Sequence, residues 1–226
     1  MLMAAASGGA DESTATWISN QLRESIISGE LEPGSRLRQQ GLARQYEASR
    51  MPIREALQRL ESEGLVSVVA HSGAWVASLD MDEFRKTYQL RNVIEPFALE
   101  QSIPGLTPQD KDLIQDLCIE IGALIQGQVD VQEFLRLDRE FHLATYVGLD
   151  HEHLESIVRR LWNTTQPYRR ALVSTLSTDQ LVATHKDHEQ IVDAIMRQDV
   201  RSAGKLMWVH IQRTIYRIEN RPEILG

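Results

Sequence analysis

The stretch of sequence that decides the fold of the amino-terminal part is Ser49-Arg50-Met51-Pro52-Ile53-Arg54-Glu55-Ala56-Leu57-Gln58-Arg59-Leu60-Glu61-Ser62-Glu63-Gly64-Leu65-Val66. It predicts a helix that Ser49 caps and that Gly64 ends. The apolar residues of this helix form one stripe, made of Ile53, Ala56, Leu57 and Leu60. Arg50, Arg54 and Gln58 lie at i, i+4 and i+8 on the opposite face. A helix with this front can lie in the major groove of DNA, where Arg can pair with guanine and Gln with adenine.

The flanking sequence predicts the rest of a winged helix-turn-helix, in which three helices are followed by a β-hairpin. The predicted elements, in chain order, are helices over 14–29, 37–46 and 50–63 and strands over 65–69 and 74–77. Gly73 lies at the hairpin tip, where a glycine lets the backbone approach DNA closely. We therefore expect a DNA-binding domain over residues 14–78. Residues 1–13 lack a sustained apolar stretch and are predicted to be a disordered tail.

The charge distribution narrows the kind of nucleic-acid binding that is possible. The chain of 226 residues has 24 Lys plus Arg against 32 Asp plus Glu, a formal net charge of −8. Such a balance argues against a protein that coats nucleic acid without specificity. Residues 36–59 nevertheless hold six Arg against two Glu. Arg36, Arg38 and Arg44 are therefore expected to contact phosphates, although for any single Arg a solvated helix face is the alternative.

Three features that the sequence lacks exclude further classes of protein. The single cysteine, Cys118, rules out an internal disulfide and a zinc finger built from cysteines. No uncharged apolar run approaches the roughly 20 residues that span a bilayer, and the first residues do not resemble a signal peptide. We expect a cytoplasmic protein with no membrane partner.

Four segments of the amino-terminal module carry a resemblance to a known family. They are Leu31-Glu32-Pro33-Gly34-Ser35-Arg36-Leu37, Leu42-Ala43, the stretch from Ser49 to Glu61, and Glu63-Gly64-Leu65-Val66. Together they resemble the GntR family of bacterial transcription regulators. The resemblance implies that DNA is read by Ser49, Arg50, Pro52 and Arg54, with Gly73 in the wing.

Arg38 and Gln58 complete the predicted DNA-binding set. The sequence departs from the family at Met51, where threonine is usual, and at Glu47, where glycine is usual. Gln39-Gln40-Gly41 also replaces a more charged stretch of the second helix. The operator sequence therefore does not follow from the resemblance.

Residues 79–226 are predicted to form an antiparallel, all-α bundle of about six helices. The predicted helices cover 81–102, 107–126, 130–147, 150–173, 178–198 and 199–219. The whole chain is thus mainly α. This second domain carries 17 basic and 23 acidic groups and is not a nucleic-acid surface. We expect it to be the regulatory, dimer-associated domain.

Four polar residues stand on apolar rows of these helices. Asp138 and His142 are four residues apart on one helix, while His188 and His210 lie on rows of two others. Burying four such groups without partners would be costly. A divalent metal, zinc or nickel, resolves the problem because neutral imidazoles and a carboxylate are its natural ligands. For any one histidine, a satisfied structural role in the core is the alternative.

The second domain also resembles a family, the ligand-binding domain of the FadR subgroup of GntR regulators. The carrying residues are Leu137-Asp138-Arg139-Glu140-Phe141-His142, the stretch from His188 to Ile195, and His210. The resemblance implies that Asp138, His142, His188 and His210 bind the metal. It favours His188 over His185, which lies three residues before it. It also implies that Arg91 binds an effector carboxylate, and the alternative is an intrahelical pair with Glu95.

These observations lead to one preferred function and two alternatives. The preferred function is a dimeric, ligand-responsive repressor that binds a palindromic operator, a divalent metal and a small carboxylate effector. The first alternative keeps the regulator but makes the metal purely structural, with no effector. The second is a metal-dependent hydrolase fused to a winged helix. It is disfavoured because no Asp or Glu is placed as an obvious general base, so we do not expect an enzyme.

Overall fold

The computed structural model describes residues 13–69, 72–77, 81–127, 129–221 and 223. The predicted disordered tail lies outside these residues, apart from Ser13, which caps the first helix through a bond from the Thr16 amide to its side chain. The chain divides into two units, with the boundary between residues 78 and 79. Each unit has its own hydrophobic core.

The first unit is a winged helix-turn-helix. Its elements are α1 (Thr14–Ser28), β1 (Arg36–Leu37), α2 (Gln39–Gln45), α3 (Arg50–Ser62), β2 (Val66–Val69) and β3 (Gly73–Val76). The three strands form an antiparallel sheet in the order β1-β3-β2. Opposite residues of the hairpin include Val66 with Val76, and Leu37 of β1 lies opposite Ala74.

The predicted start of the second helix was wrong, because residues 36–37 form a strand. Leu37 is buried in the core of the unit, and α2 begins only at Gln39. Pairing with β3 satisfies backbone groups that would otherwise lie unbonded beside the sheet. A strand of two residues has no periodicity of its own, so the sequence alone does not reveal it.

The third helix buries the predicted face. Its apolar stripe, made of Ile53, Ala56, Leu57 and Leu60, is fully buried. Gly64 follows it in the left-handed region with φ of 75°. Ser49 is the N-cap by position, although its side chain makes no capping hydrogen bond. Arg23 of α1 forms a bidentate ion pair with Glu63, at 2.6 and 2.7 Å, and so fixes α1 against the end of α3.

The second unit is an all-α bundle in the described residues. Its helices are α4 (Met81–Ser102), α5 (Pro108–Gln126), α6 (Val131–Ala144), α7 (Glu152–Val173), α8 (Thr178–Met196) and α9 (Val200–Glu219), with a 3-10 turn at Ile103–Gly105. α9 packs against α4 and α8, while α5 packs against α6 and α8. Among the described helices, none has both the length and the apolar character that crossing a membrane requires.

The helix ends differ from the predicted ones by no more than three residues, and α4 has the predicted bounds. The clearest difference is at α7, which begins after His151 rather than after Asp150. The Nδ1 atom of His151 accepts a hydrogen bond from the Leu154 amide at 3.2 Å. A neutral imidazole can therefore supply the cap that Asp or Ser commonly supplies. The helix continues through Pro167.

Candidate DNA-binding face and buried histidine site

The exposed face of α3 presents the residues that the sequence selected. Arg50, Arg54 and Gln58 are all exposed, on the side opposite the buried stripe. In the part of the chain that the structure describes, neither Arg50 nor Arg54 is engaged in an ion pair. Their guanidinium groups are thus available to base edges or phosphates. Arg38, the N-cap residue of α2, is exposed as well.

The turn into α3 has one unusual backbone conformation. Glu47 has φ of 48°, in the left-handed region that glycine adopts at little cost. Glycine is usual there in the family that the sequence resembles. Ser49 is exposed after this turn, and Pro52 is half-buried in the first turn of α3.

Arg36, which the sequence predicted to contact a phosphate, makes contacts within the wing instead. Arg36 donates from Nη2 to the Ser72 carbonyl oxygen at 2.7 Å and lies over the Trp75 ring, 5.4 Å from its centroid. Its guanidinium thus braces the hairpin. Gly73, at the start of β3, has φ of 134°, and a side chain there would be strained.

Three histidines meet inside the second unit. His142 of α6, His188 of α8 and His210 of α9 are 1%, 0% and 5% exposed. Their ring centroids are 4.9 to 5.0 Å apart, and one ligand atom from each lies within 4.8 Å of the others. Three helices that are distant in sequence therefore bring three imidazoles to one point.

Asp138 lies at the same point, one turn before His142. Its Oδ1 atom is 3.5 Å from Nε2 of His188 and 3.9 Å from Nε2 of His142. Its other oxygen, Oδ2, forms an ion pair with Arg169 of α7. The structure therefore brings all four predicted ligands together and adds a cation that the sequence reasoning missed.

The chemistry of this cluster fits a divalent metal. Burial is the main cause that lowers the pKa of His142 and His188 well below the usual value, and it also lowers the pKa of His210. The imidazoles are therefore neutral at pH 7, as ligation requires. Among the described residues, no hydrogen-bond partner meets either ring nitrogen of His142 or His188. Buried nitrogens without partners are costly, and a metal would satisfy them.

A second carboxylate lies beside one of the histidines. Oδ2 of Asp187 lies 3.4 Å from Nδ1 of His210 and accepts a hydrogen bond from Arg213 at 2.5 Å. A carboxylate at one ring nitrogen leaves the other to act as a ligand. Asp187 directly precedes His188, and that adjacency was the available signal. His185 is outside the triad, since its ring packs against Gly122 of α5.

Arg91 forms the intrahelical pair that the sequence left open. Its Nε and Nη2 atoms donate to the two carboxylate oxygens of Glu95, and Nη1 donates to Oγ1 of Thr165 at 3.1 Å. Glu95 also accepts from the hydroxyl of Tyr146 at 2.9 Å and from the indole of Trp162 at 3.0 Å. All three nitrogens of this buried guanidinium are thus engaged within the protein.

An open cavity adjoins the histidine site. It encloses about 370 Å³ of empty space, including its mouth. Its polar lining comprises Asp138, Arg169, Thr184, His210, Thr214 and Arg217, and its apolar lining includes Phe134 and Leu172. Arg91 does not line it.

Comparisons with known proteins agree with both units. Residues 14–76 match the gntR family of bacterial regulatory proteins, and residues 86–213 match the FCD domain. The gluconate operon transcriptional repressor of Bacillus licheniformis is 31% identical, over 80% of this chain and 72% of its own. The Nta operon transcriptional regulator of Aminobacter aminovorans is 27% identical, over 83% of this chain and 86% of its own.

Solved structures show the same architecture. A GntR-family transcriptional regulator of Pseudomonas syringae is 31% identical, with a TM-score of 0.53 over 93% of this chain and 86% of that one. McbR/YncC of Escherichia coli has a TM-score of 0.80 over 93% of this chain and 99% of that one, at 24% identity, which supports the fold alone.

Fold and sequence together define a DNA-binding transcriptional regulator that carries a winged helix-turn-helix and a helical domain. The chain belongs to the gntR family of bacterial regulatory proteins, with an FCD domain as its second unit. The family and the named relatives are transcriptional regulators and not enzymes.

Proposed function

We propose that the chain is a metal-binding, ligand-responsive repressor that acts on a palindromic operator in the bacterial cytoplasm. The observation that carries this proposal is the combination of an exposed Arg/Gln face on α3 with a buried cluster of three neutral imidazoles and a carboxylate. A repressor is preferred because two relatives are gluconate operon transcriptional repressors.

The proposed DNA-binding residues all lie in the first unit, and all are exposed except the half-buried Pro52 and Gly73. They are Arg38, Ser49, Arg50, Pro52, Arg54, Gln58 and Gly73. Arg54 lies in the middle of the α3 face and should contribute most to base recognition. An Arg54→Ala variant is expected to lose the footprint on the DNA upstream of its own gene.

Arg59→Ala is the matched control for that experiment. Arg59 is also an exposed arginine of α3, but it donates to Oγ1 of Thr16 on α1. Its replacement should leave the footprint in place. An unchanged footprint with Arg54→Ala would remove Arg54 from the set that reads sequence.

The proposed metal ligands are Asp138, His142, His188 and His210, with zinc or nickel as the ion. When bound, the ion would supply a Lewis-acidic centre for a ligand oxygen. We expect purified protein to contain close to one divalent ion per chain by elemental analysis. His188→Ala should lose it, and His153→Ala, which changes an exposed histidine, should retain it.

The effector is proposed to be a small carboxylate that binds beside the metal and changes operator affinity. Gluconate belongs in the first panel of compounds because of the gluconate-operon relatives. Stabilisation by such an acid in a thermal-shift measurement would support the proposal. Metal removal that melts the second unit, with no shift from any acid, would favour a purely structural metal instead.

The proposed homodimer has a candidate interface on α4 and α9. These neighbouring helices run antiparallel, since Arg85 contacts Glu219 while Glu100 lies against Gly204. Their outer face exposes large apolar side chains, namely Leu90, Val93 and Phe97 of α4 and Trp208 and Tyr216 of α9. Concentrated apolar exposure of this kind is typical of an interaction surface. A second copy of the chain is the partner that a palindromic operator requires.

Light scattering after gel filtration tests the interface. Wild-type protein should have twice the mass of the chain, and Val93→Glu should dissociate it because a charge would enter an apolar contact. Val147→Glu changes another exposed valine, after α6, and should leave the dimer intact. A dimer that survives Val93→Glu would place the interface elsewhere.

A further inference from the structure

Arg169 is the one guanidinium in the described residues that both touches the histidine site and lines the adjoining cavity. It is 8% exposed and lies over the indole of Trp162, 4.0 Å from the ring centroid. Its Nη2 atom pairs with Asp138, whereas its Nε atom has no hydrogen-bond partner among the described residues. An unsatisfied buried donor on a charged group is costly and indicates a missing acceptor.

The charges around this donor balance only while the site holds no cation. Asp138 and Arg169 form a neutral pair, and the three imidazoles are uncharged. With a divalent cation at the histidines and Asp138, the same groups carry surplus positive charge in a buried place. A surplus of this kind is costly when buried, and an anion close by would stabilise it.

The surrounding residues favour an anion as well. Arg217 lies on the cavity wall and donates from Nη1 to Oγ1 of Thr184 at 2.7 Å. Thr214 is also on the wall, and its hydroxyl donates to the carbonyl oxygen of His210 at 3.4 Å. The nearby carboxylate of Asp187 is already paired with Arg213. A small carboxylate entering the cavity therefore meets the guanidinium groups of Arg169 and Arg217, and a planar guanidinium suits bidentate contact.

We propose that Arg169 is the anion-binding residue of this cavity, and that metal and carboxylate bind cooperatively because both act on the Asp138–Arg169 pair. The inference rests on the proposed metal site and gives Arg169 the role that the sequence suggested for Arg91. In the absence of metal, Arg169 holds Asp138. With a metal bound, Asp138 would share its charge with the cation, and the guanidinium would be available to hold the carboxylate.

Zinc affinity, measured by competition with a chromophoric chelator, tests the coupling. L-lactate is the probe, and uncharged lactamide is its matched control. For wild-type protein, lactate should tighten zinc binding by a factor of about 5 to 150, the usual range for coupled sites, and lactamide should not. Arg169→Met should bind zinc at least as tightly as wild type, since Asp138 has lost its competing partner, but without any lactate effect.

Two further variants make the outcome decisive. Arg169→Lys keeps the charge and should retain part of the lactate effect, which covers the case in which Arg169→Met does not fold. Arg159→Met removes an exposed arginine of the same helix and should behave as wild type. A lactate effect that persists in both Arg169 variants, or that is absent from zinc-binding wild type, would overturn the inference alone. Failure of wild type to bind zinc would overturn the proposed zinc site and the inference together, and it would leave the proposed DNA binding to its own test.

Discussion

The side chain of Glu95 shows how much one buried residue determines in this protein. Its carboxylate is 0% exposed and accepts hydrogen bonds from Arg91, Tyr146 and Trp162, which come from three helices or their ends. Removing one partner of a buried ion pair leaves an uncompensated charge, which is far more damaging than losing an exposed pair.

Glu95→Gln is therefore expected to destabilise the second unit strongly. The variant keeps the shape but leaves the buried Arg91 cation unpaired, at a cost of about 3–5 kcal/mol. Urea unfolding followed by circular dichroism would measure the loss. Glu140→Gln, at an exposed carboxylate that pairs with Arg136, should change stability by no more than about 0.5 kcal/mol. Equal effects of the two substitutions would contradict this account.

At the scale of the element, the turn before α3 determines how the recognition helix is presented. The backbone of Glu47 is left-handed, and α3 begins three residues later, at Arg50. A residue with a Cβ atom is strained in that conformation by about 1–2 kcal/mol. Glutamate in place of glycine at position 47 therefore lowers the stability of the first unit.

Glu47→Gly is expected to stabilise the first unit. Relief of strain exceeds the greater flexibility of glycine in the unfolded chain, with a net gain of about 0.5–1 kcal/mol. Thermal unfolding of the full chain would report the gain in the transition of the first unit. Glu47→Ala removes the same charge without relieving the backbone and should give no gain. A stabilised Ala variant would attribute the effect to charge instead.

At the scale of the whole molecule, the distribution of charge separates specific from unspecific DNA binding. The net charge of −8 belongs mostly to residues 79–226, while residues 36–59 are basic. With little background positive charge, affinity for random DNA should be low and should depend on few arginines.

The salt dependence of DNA binding tests this distribution. A plot of log K against log salt concentration has a negative slope, and Arg38→Ala should reduce the magnitude of this slope by about 1 because it removes one phosphate-binding cation. The reduction should be the same for any DNA sequence. Fluorescence anisotropy on a random duplex and on the upstream region would measure both slopes. Arg197→Ala, at an exposed arginine of the second unit, should leave both unchanged. A slope unaffected by Arg38→Ala would exclude Arg38 from phosphate binding.

The sequence by itself determined most of the elements and the buried faces of the helices. The stripe of α3 and the rows that carry Asp138 and the three histidines follow from a period of 3.6 residues, which is a local property. Arg169 lies on the apolar face of α7 that also holds Trp162 and Leu172. The histidines were selected because they are polar residues on apolar helical rows, and the same criterion could have selected Arg169.

Only the tertiary structure decided which groups meet. The strand at residues 36–37 exists because β3 lies beside it, and the partner of Arg91 was settled by the burial of Glu95 among other helices. The pairing of Asp138 with Arg169, and the cavity beside it, depend on how α6, α7 and α9 pack. Such contacts join residues distant in sequence, and periodicity along one helix carries no information about them.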